Sequence, residues 1–361
     1  QAQRLLSFCH FMAAAFMVVA AWIGLSAMNS GEPVNGMALF WSYSASIAFY
    51  MPTLALSNSV AYTALDKAGL DTIKAFPPIR VFGTVGFLCA MWLVDLAGWQ
   101  NTPIQFIESA VFGVLLSIYA ITMPSCPVGI KSGKLSFAEV FGLKAFRLFK
   151  DKKMAYFFIF SFLLGVSLQI TNGYANPYIQ SFQYEGFEDL FFVKHSNLLV
   201  SLSQISETLC ILLIPFFLRR YGIKIVMLIA MLAWVGRFAF FACGDPGNGV
   251  WLFILSCIVY GVAFDFFNVS GSLFVDRETD LSIRSSAQGL FVMMTNGFGA
   301  TIGSLSAKEI INHYVYTNPD VPTYMSLDGW RTSWYIFAIY ALVVAIAFAI
   351  LFKYKHVREE K

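Results

Sequence analysis

Arg80, Glu207, Arg237 and Asp265 stand in segments otherwise apolar enough to span a lipid bilayer. An ionisable group near the membrane midplane costs at least ~2.5 to 3.5 kcal/mol on insertion scales, so it persists only where it pairs, faces water or handles a solute. Arg80, Glu207 and Asp265 also have polar neighbours at helical spacing. That pattern points to a polar cavity inside a helical membrane protein, the geometry of a transporter.

Each polar face has a chemistry and a plainer alternative. Arg80, Thr84 and Phe87 are spaced i, i+4 and i+7, so they share one helix face just after Phe76-Pro77-Pro78. An arginine there could equally snorkel to the headgroups. Gln169 and Asn172 are three apart, with Asn176 extending the stripe. Such amides present donors and acceptors to a heterocycle or to sugar hydroxyls, and they could equally be interhelical contacts worth ~0.6 kcal/mol each. Ser203, Gln204 and Glu207 follow the same spacing. Desolvation favours the neutral form of a carboxyl, so such a group can exchange protons near neutrality; a structural ion pair with an arginine is the alternative. Tyr260, Phe264, Asp265 and Asn268 form an aromatic and acidic face. Rings that stack on a planar ligand while amides read its edge recognise nucleobases and sugars, and an aromatic stripe is also ordinary packing. Arg237 has no such polar company along its own helix and is read as structural.

These faces need helices to carry them. The 361 residues are 58% hydrophobic and 12% charged, with mean hydropathy +0.67, and long apolar runs recur along the whole length. Too little polar surface is present to cover a soluble globule, so the chain is expected to be an all-α polytopic membrane protein. A span of ~20 residues places ten helices near 5–28, 37–65, 78–96, 104–123, 154–181, 191–218, 224–243, 250–275, 284–311 and 332–354. Pro52 and Pro177 fall inside such segments, where each removes a backbone hydrogen bond and can open a kink. The glycine pairs Gly83/Gly86 and Gly299/Gly303 suit close approach of helices. Asn268-Val269-Ser270 matches a glycosylation sequon but lies within a span, and is dismissed.

Basic residues set the orientation. Nineteen of the 24 Lys and Arg fall on one side if the N-terminus is cytoplasmic, three (Lys194, Lys308, Arg331) on the other, and Arg80 and Arg237 within the spans. Both termini are therefore expected in the cytoplasm. The long connection from Pro124 to Lys153 is Lys-rich and carries Phe137, Val140, Phe141, Leu143, Phe146 and Leu148 at roughly helical spacing, which fits an amphipathic helix on the inner leaflet. The organisation is thus a four-helix N-terminal half at 1–123, a cytoplasmic linker at 124–153 and a six-helix C-terminal half at 154–361. Six-plus-six halves joined by a long cytoplasmic loop describe the major facilitator fold. Four-plus-six, opening on Gln1 directly at the start of a helix, reads as that fold with the first two of twelve helices missing.

Other chemistries find little support. The net charge of +3 implies no nucleic-acid partner, and six cysteines form no CxxC pair. His10, His195, His313 and His356 are scattered without metal-ligand spacing, so no metal, no cofactor and no enzymatic activity are expected. An intramembrane enzyme stays a remote alternative. A facilitator or symporter of another small polar solute, such as a sugar, is the nearer one.

The runs Ala75-Phe-Pro-Pro-Ile-Arg80-Val-Phe-Gly-Thr84-Val-Gly-Phe87, Leu168-Gln-Ile-Thr-Asn172, Ser203-Gln-Ile-Ser-Glu207 and Val259-Tyr-Gly-Val-Ala-Phe-Asp265-Phe-Phe-Asn268 resemble the bacterial nucleoside:proton symporter family of the major facilitator superfamily. So do Arg220-Tyr-Gly-Ile-Lys224 and Phe352-Lys-Tyr-Lys-His-Val-Arg358. The resemblance covers essentially the whole chain. It implies that Arg80, Thr84, Phe87, Gln169, Asn172, Gln204, Glu207, Tyr260 and Phe264 line a nucleoside site, and that Glu207 and Asp265 couple protons. It further implies import of uridine-like nucleosides with protons by alternating access, in a monomer embedded in the bilayer of the bacterial inner membrane.

Overall fold

The computed structural model describes residues 2–70, 72–125, 143–280, 283–318 and 324–354. Among these residues all regular structure is helical and no strand occurs. The chain divides into two compact units, Gln1–Gly133 and Lys134–Lys361.

The first unit holds α1 (Ala2–Ser30), α2 (Gly36–Lys67), α3 (Thr72–Leu96) and α4 (Ile104–Thr122). Lipid offers no hydrophobic drive to bring helices together, so they meet through small side chains and hydroxyls. On α1, Ala14 faces Gly113 of α4, where an added Cβ would lie 2.9 Å from the alanine Cβ. The Ser7 and Ser117 hydroxyls meet at 3.0 Å, and Ser46 of α2 donates to the Ala13 carbonyl at 2.8 Å. The start of α2 is fixed by Asn35, whose side chain accepts from the Ala38 amide at 3.1 Å. Large apolar side chains such as Trp22 and Phe82 project outward.

The second unit begins with a 3₁₀ turn at Leu143–Lys150 and continues as α5 (Lys152–Ser181), the single turn α6 (Phe191–Lys194), α7 (Ser196–Cys243) and α8 (Val250–Glu278). Then come α9 (Arg284–Val292), a π-helical segment Met293–Gly299, α10 (Ala300–Tyr314) and α11 (Leu327–Leu351). The core is aromatic: the Tyr178 ring lies 5.3 to 5.9 Å from the rings of Phe182, Phe241, Phe253, Trp330 and Trp334. Its hydroxyl donates to the Phe241 carbonyl at 2.8 Å, so the polar tip is satisfied as the ring is buried.

The 48 residues of α7 do not form one rod. Gly222 has φ 76° and ψ 170°, a conformation essentially confined to glycine, and it breaks the helix into arms at 196–221 and 223–243. The chain reverses there, because Arg237 and Ser203 touch; a straight helix would hold residues 34 apart about 50 Å from each other. At the far end of the second arm's contacts, Lys224 donates to the Ala349 carbonyl of α11 at 3.1 Å.

The helices stand where hydropathy places them, with instructive differences. Among the described residues, seven are long and apolar enough to cross a membrane, counting α7 once and α9 to α10 as one continuous run. The expected spans at 37–65 and 78–96 form α2 and α3 but are not among the seven. Hydroxyls and an amide in α2, including Ser42, Ser44, Ser46, Ser57, Asn58 and Ser59, dilute its hydropathy, and of α3 the described apolar stretch is Phe82–Leu96. The last helix begins at Leu327, ahead of the expected 332, because Ser326 caps it by accepting from the Gly329 amide at 3.2 Å. Pro52 and Pro177 stand inside α2 and α5, which continue past them, and the break at Gly222 falls between the expected spans 191–218 and 224–243. Of the amphipathic linker helix, the described part is the 3₁₀ turn at Leu143–Lys150; residues 126–142 lie outside the described residues.

Candidate functional site

The polar faces of the second unit are brought together by glycines. Where α8 crosses the first arm of α7, a Cβ on Gly261 would lie 2.6 Å from the Ser206 carbonyl and 2.7 Å from the Glu207 nitrogen. Only hydrogen fits, so the two backbones touch. Ser206 seals the crossing by donating its hydroxyl to the Ile258 carbonyl. The contact brings Gly261, next to Tyr260, against the backbone of Glu207, and Arg237 lies over the Tyr260 ring.

On α8 the rings of Tyr260 and Phe264 are nearly parallel, at 5° and 5.8 Å between centroids. Their i, i+4 spacing permits this and Trp234, edge-on to Tyr260 at 5.9 Å, braces it. Tyr260 is buried and Phe264 half-buried. Asp265, next along the helix, is buried within electrostatic reach of Cys210. Asn268, the last member of that face, donates to the Phe264 carbonyl at 3.0 Å and so is tied to its own helix.

Gln169 is half-buried on α5 and Asn172 is exposed. Gln169 sits where α10 presses in, since a Cβ on Gly303 would lie 2.8 Å from the Val166 carbonyl and 3.3 Å from the Gln169 Cβ. The next glycine of that pair behaves alike, with Gly299 against the Phe162 carbonyl. Gly83 and Gly86 do not: no neighbour comes within 4 Å of either among the described residues. Asn176 also departs from the ligand-facing stripe. It donates to the Asn197 side chain at 2.8 Å and joins α5 to the first arm of α7, the interhelical use of an amide.

Gln204 and Glu207 are both half-buried on the first arm of α7. In the first unit, Thr84 is half-buried and Phe87 exposed on α3. Arg80 belongs to the same helix, and its side chain lies outside the described residues.

Arg237, without polar company along its own arm, finds it on others: the guanidinium donates to the Ser256 carbonyl at 2.6 Å and to the hydroxyls of Ser203 and Thr171 at 3.4 Å each. It also lies over the rings of Tyr260 at 4.5 Å and Phe241 at 5.2 Å. Phe241 is one turn away on the same arm, and the other partners come from three further helical segments. No spacing rule along one helix could have found those; the signal available was a lone arginine in an apolar stretch.

A bundle of long apolar helices with amides, stacked rings and carboxylates gathered inside it defines a multi-spanning membrane transporter. The chain belongs to the nucleoside H+ symporter family, whose profile it matches over residues 1–357. It is 49% identical over 311 residues to the nucleoside permease NupG of Escherichia coli strain K12, spanning 86% of this chain and 72% of that protein. Identity to the xanthosine permease of the same organism is 46% over 361 residues, 99% of this chain and 81% of that protein. The crystal structure of the nucleoside transporter NupG superposes with TM-score 0.86 at 44% identity, over 98% of this chain and 84% of that chain. These relatives are permeases, so the family is one of transporters and not of enzymes.

Proposed function

We propose that this protein imports nucleosides together with protons by alternating access, in the major facilitator arrangement of two helical halves. The Gly261 crossing carries the reading, because it sets a parallel Tyr260–Phe264 pair beside a half-buried carboxylate, Glu207. Flat rings take up a nucleobase by stacking, and the amides of Gln169, Asn172 and Gln204 suit base edges and ribose hydroxyls. The family resemblance adds Arg80, Thr84 and Phe87 to the proposed binding residues. Glu207 and Asp265 carry the proton, since a carboxyl removed from water binds and releases it at modest cost.

The protein acts as a monomer in the bacterial inner membrane with both termini in the cytoplasm, and outward apolar side chains such as Trp22 and Phe82 meet the acyl chains. The basic residues Lys150, Lys152 and Lys153 stand on the cytoplasmic side, where they suit anionic headgroups. Uptake of labelled uridine by cells expressing the full-length protein tests the reading. Accumulation above the external concentration that collapses on adding a protonophore is the expected result. Accumulation indifferent to the protonophore would exclude proton coupling.

A further inference from the structure

Arg237 keeps 1% of its exposure, and among the described residues no carboxylate forms an ion pair with it. A buried guanidinium without an anion is costly, so its surroundings must satisfy it by other means. They do so in a particular pattern. Thr171, which accepts from Nε, directly precedes Asn172 and is two residues from Gln169. Ser203, which accepts from Nη1, directly precedes Gln204 and is one turn ahead of Glu207. Ser256, whose carbonyl accepts from Nη1 and whose hydroxyl donates back to the Arg237 carbonyl at 2.9 Å, is one turn ahead of Tyr260. The guanidinium plane itself covers Tyr260 at 4.5 Å.

Every helix of the second unit that carries a proposed nucleoside-binding side chain is therefore held by Arg237 at a residue beside that side chain. A planar cation with five donors can span three helices in this way, and a lysine ammonium cannot. We infer that Arg237 is a positioning residue for nucleoside recognition: it clamps Tyr260 from one face and sets the relative heights of the Gln169/Asn172, Gln204/Glu207 and Tyr260/Phe264 groups. It does not touch the nucleoside. The inference rests on the proposed assignment of these groups to nucleoside binding.

The test measures uridine affinity of purified protein that is monodisperse on gel filtration, for Arg237→Met, Arg237→Lys, Tyr260→Leu and the Arg237→Met/Tyr260→Leu pair. Arg237→Met should weaken uridine binding about tenfold, the scale of one desolvated cation–π contact, and Arg237→Lys should recover part of that loss. The double variant should bind more tightly than the product of the two single losses predicts, because the arginine acts in part through the tyrosine. A residue that only stabilises the bundle would lower the yield of folded protein and leave the affinity of the folded fraction unchanged. Parent-like affinity in monodisperse Arg237→Met, with Tyr260→Leu impaired, overturns the inference and spares the binding assignment. Parent-like affinity in Tyr260→Leu removes both. Should Arg237→Met give no monodisperse protein, Ser203→Ala carries the test: it deletes one anchor and keeps the cation, and about threefold weaker binding is expected. Unchanged affinity in that variant overturns the inference as well.

Discussion

Arg237 and Ser203 meet at 3.4 Å although they stand 34 residues apart on two helical arms joined at Gly222. The contact exists because Gly222, at φ 76°, turns the chain back on itself and lays the two arms of α7 side by side. One backbone torsion thus decides which side chains surround a buried cation, and the cation in turn touches the ring of Tyr260.

Two glycines should accordingly be intolerant of substitution for different reasons. Gly222→Ala forces an L-residue into a glycine-only conformation at a cost of roughly 1 to 3 kcal/mol. Gly261→Ala meets the backbone of Ser206 and Glu207, an overpacking cost of about 1 to 3 kcal/mol that the backbones must absorb by separating. Thermal unfolding in detergent should show both less stable than the parent. Uridine affinity of the folded fraction should fall more in Gly261→Ala, because its strain lands beside Glu207. Equal stability of Gly261→Ala and the parent would contradict the close crossing.

Gln169→Ala and Phe264→Ala should each weaken uridine binding more than they disturb folding. Both side chains are half-buried rather than enclosed, so truncation removes ligand contacts and leaves the aromatic core around Tyr178 intact. Losing one stacking ring or one amide should reduce affinity about five- to tenfold, from ~1 to 1.4 kcal/mol. Equilibrium binding on purified variants decides it. If both bind uridine like the parent, the ligand sits elsewhere.

Coupling should separate from binding at Glu207 and Asp265. An amide of the same shape keeps hydrogen-bonding capacity but cannot carry the proton. In the full-length protein Glu207→Gln or Asp265→Asn should reduce protonophore-sensitive accumulation of uridine, with counterflow or binding retained in at least one of them. Glu207 is the stronger candidate, since it stands one turn from Gln204 and at the Gly261 crossing, next to residues of the proposed binding set. Should both variants accumulate uridine with unchanged dependence on external pH, facilitated diffusion becomes the better account of the same fold.

Orientation is open to a chemical test. Cysteines introduced at Lys150 and Lys152, at the junction of the 3₁₀ turn and α5, should be shielded from a membrane-impermeant thiol reagent in intact cells and react once the cells are opened. Labelling from outside would reverse the assignment made from the distribution of Lys and Arg.

The sequence by itself determined where helices form and which of their faces are polar. Both are short-range properties: burial of a backbone in lipid demands satisfied hydrogen bonds within each segment, and the 3.6-residue period projects Tyr260 and Phe264, or Gln204 and Glu207, to one side. The parallel stacking of Tyr260 on Phe264 is that period made visible. Family membership was legible too, because it rests on runs of residues rather than on their arrangement in space. Tertiary structure alone decided the rest. It turned Asn176 from the amide stripe toward Asn197 and introduced the π segment Met293–Gly299 in a stretch that reads as plain helix. Above all it gave Arg237 its partners. Those at positions 171, 203, 256 and 260 stand on other helical segments, and their distances to a guanidinium depend on how separate helices cross. Periodicity describes the face of one helix; a site assembled from several helices is fixed by the close approaches that small residues such as Gly261 and Gly303 permit.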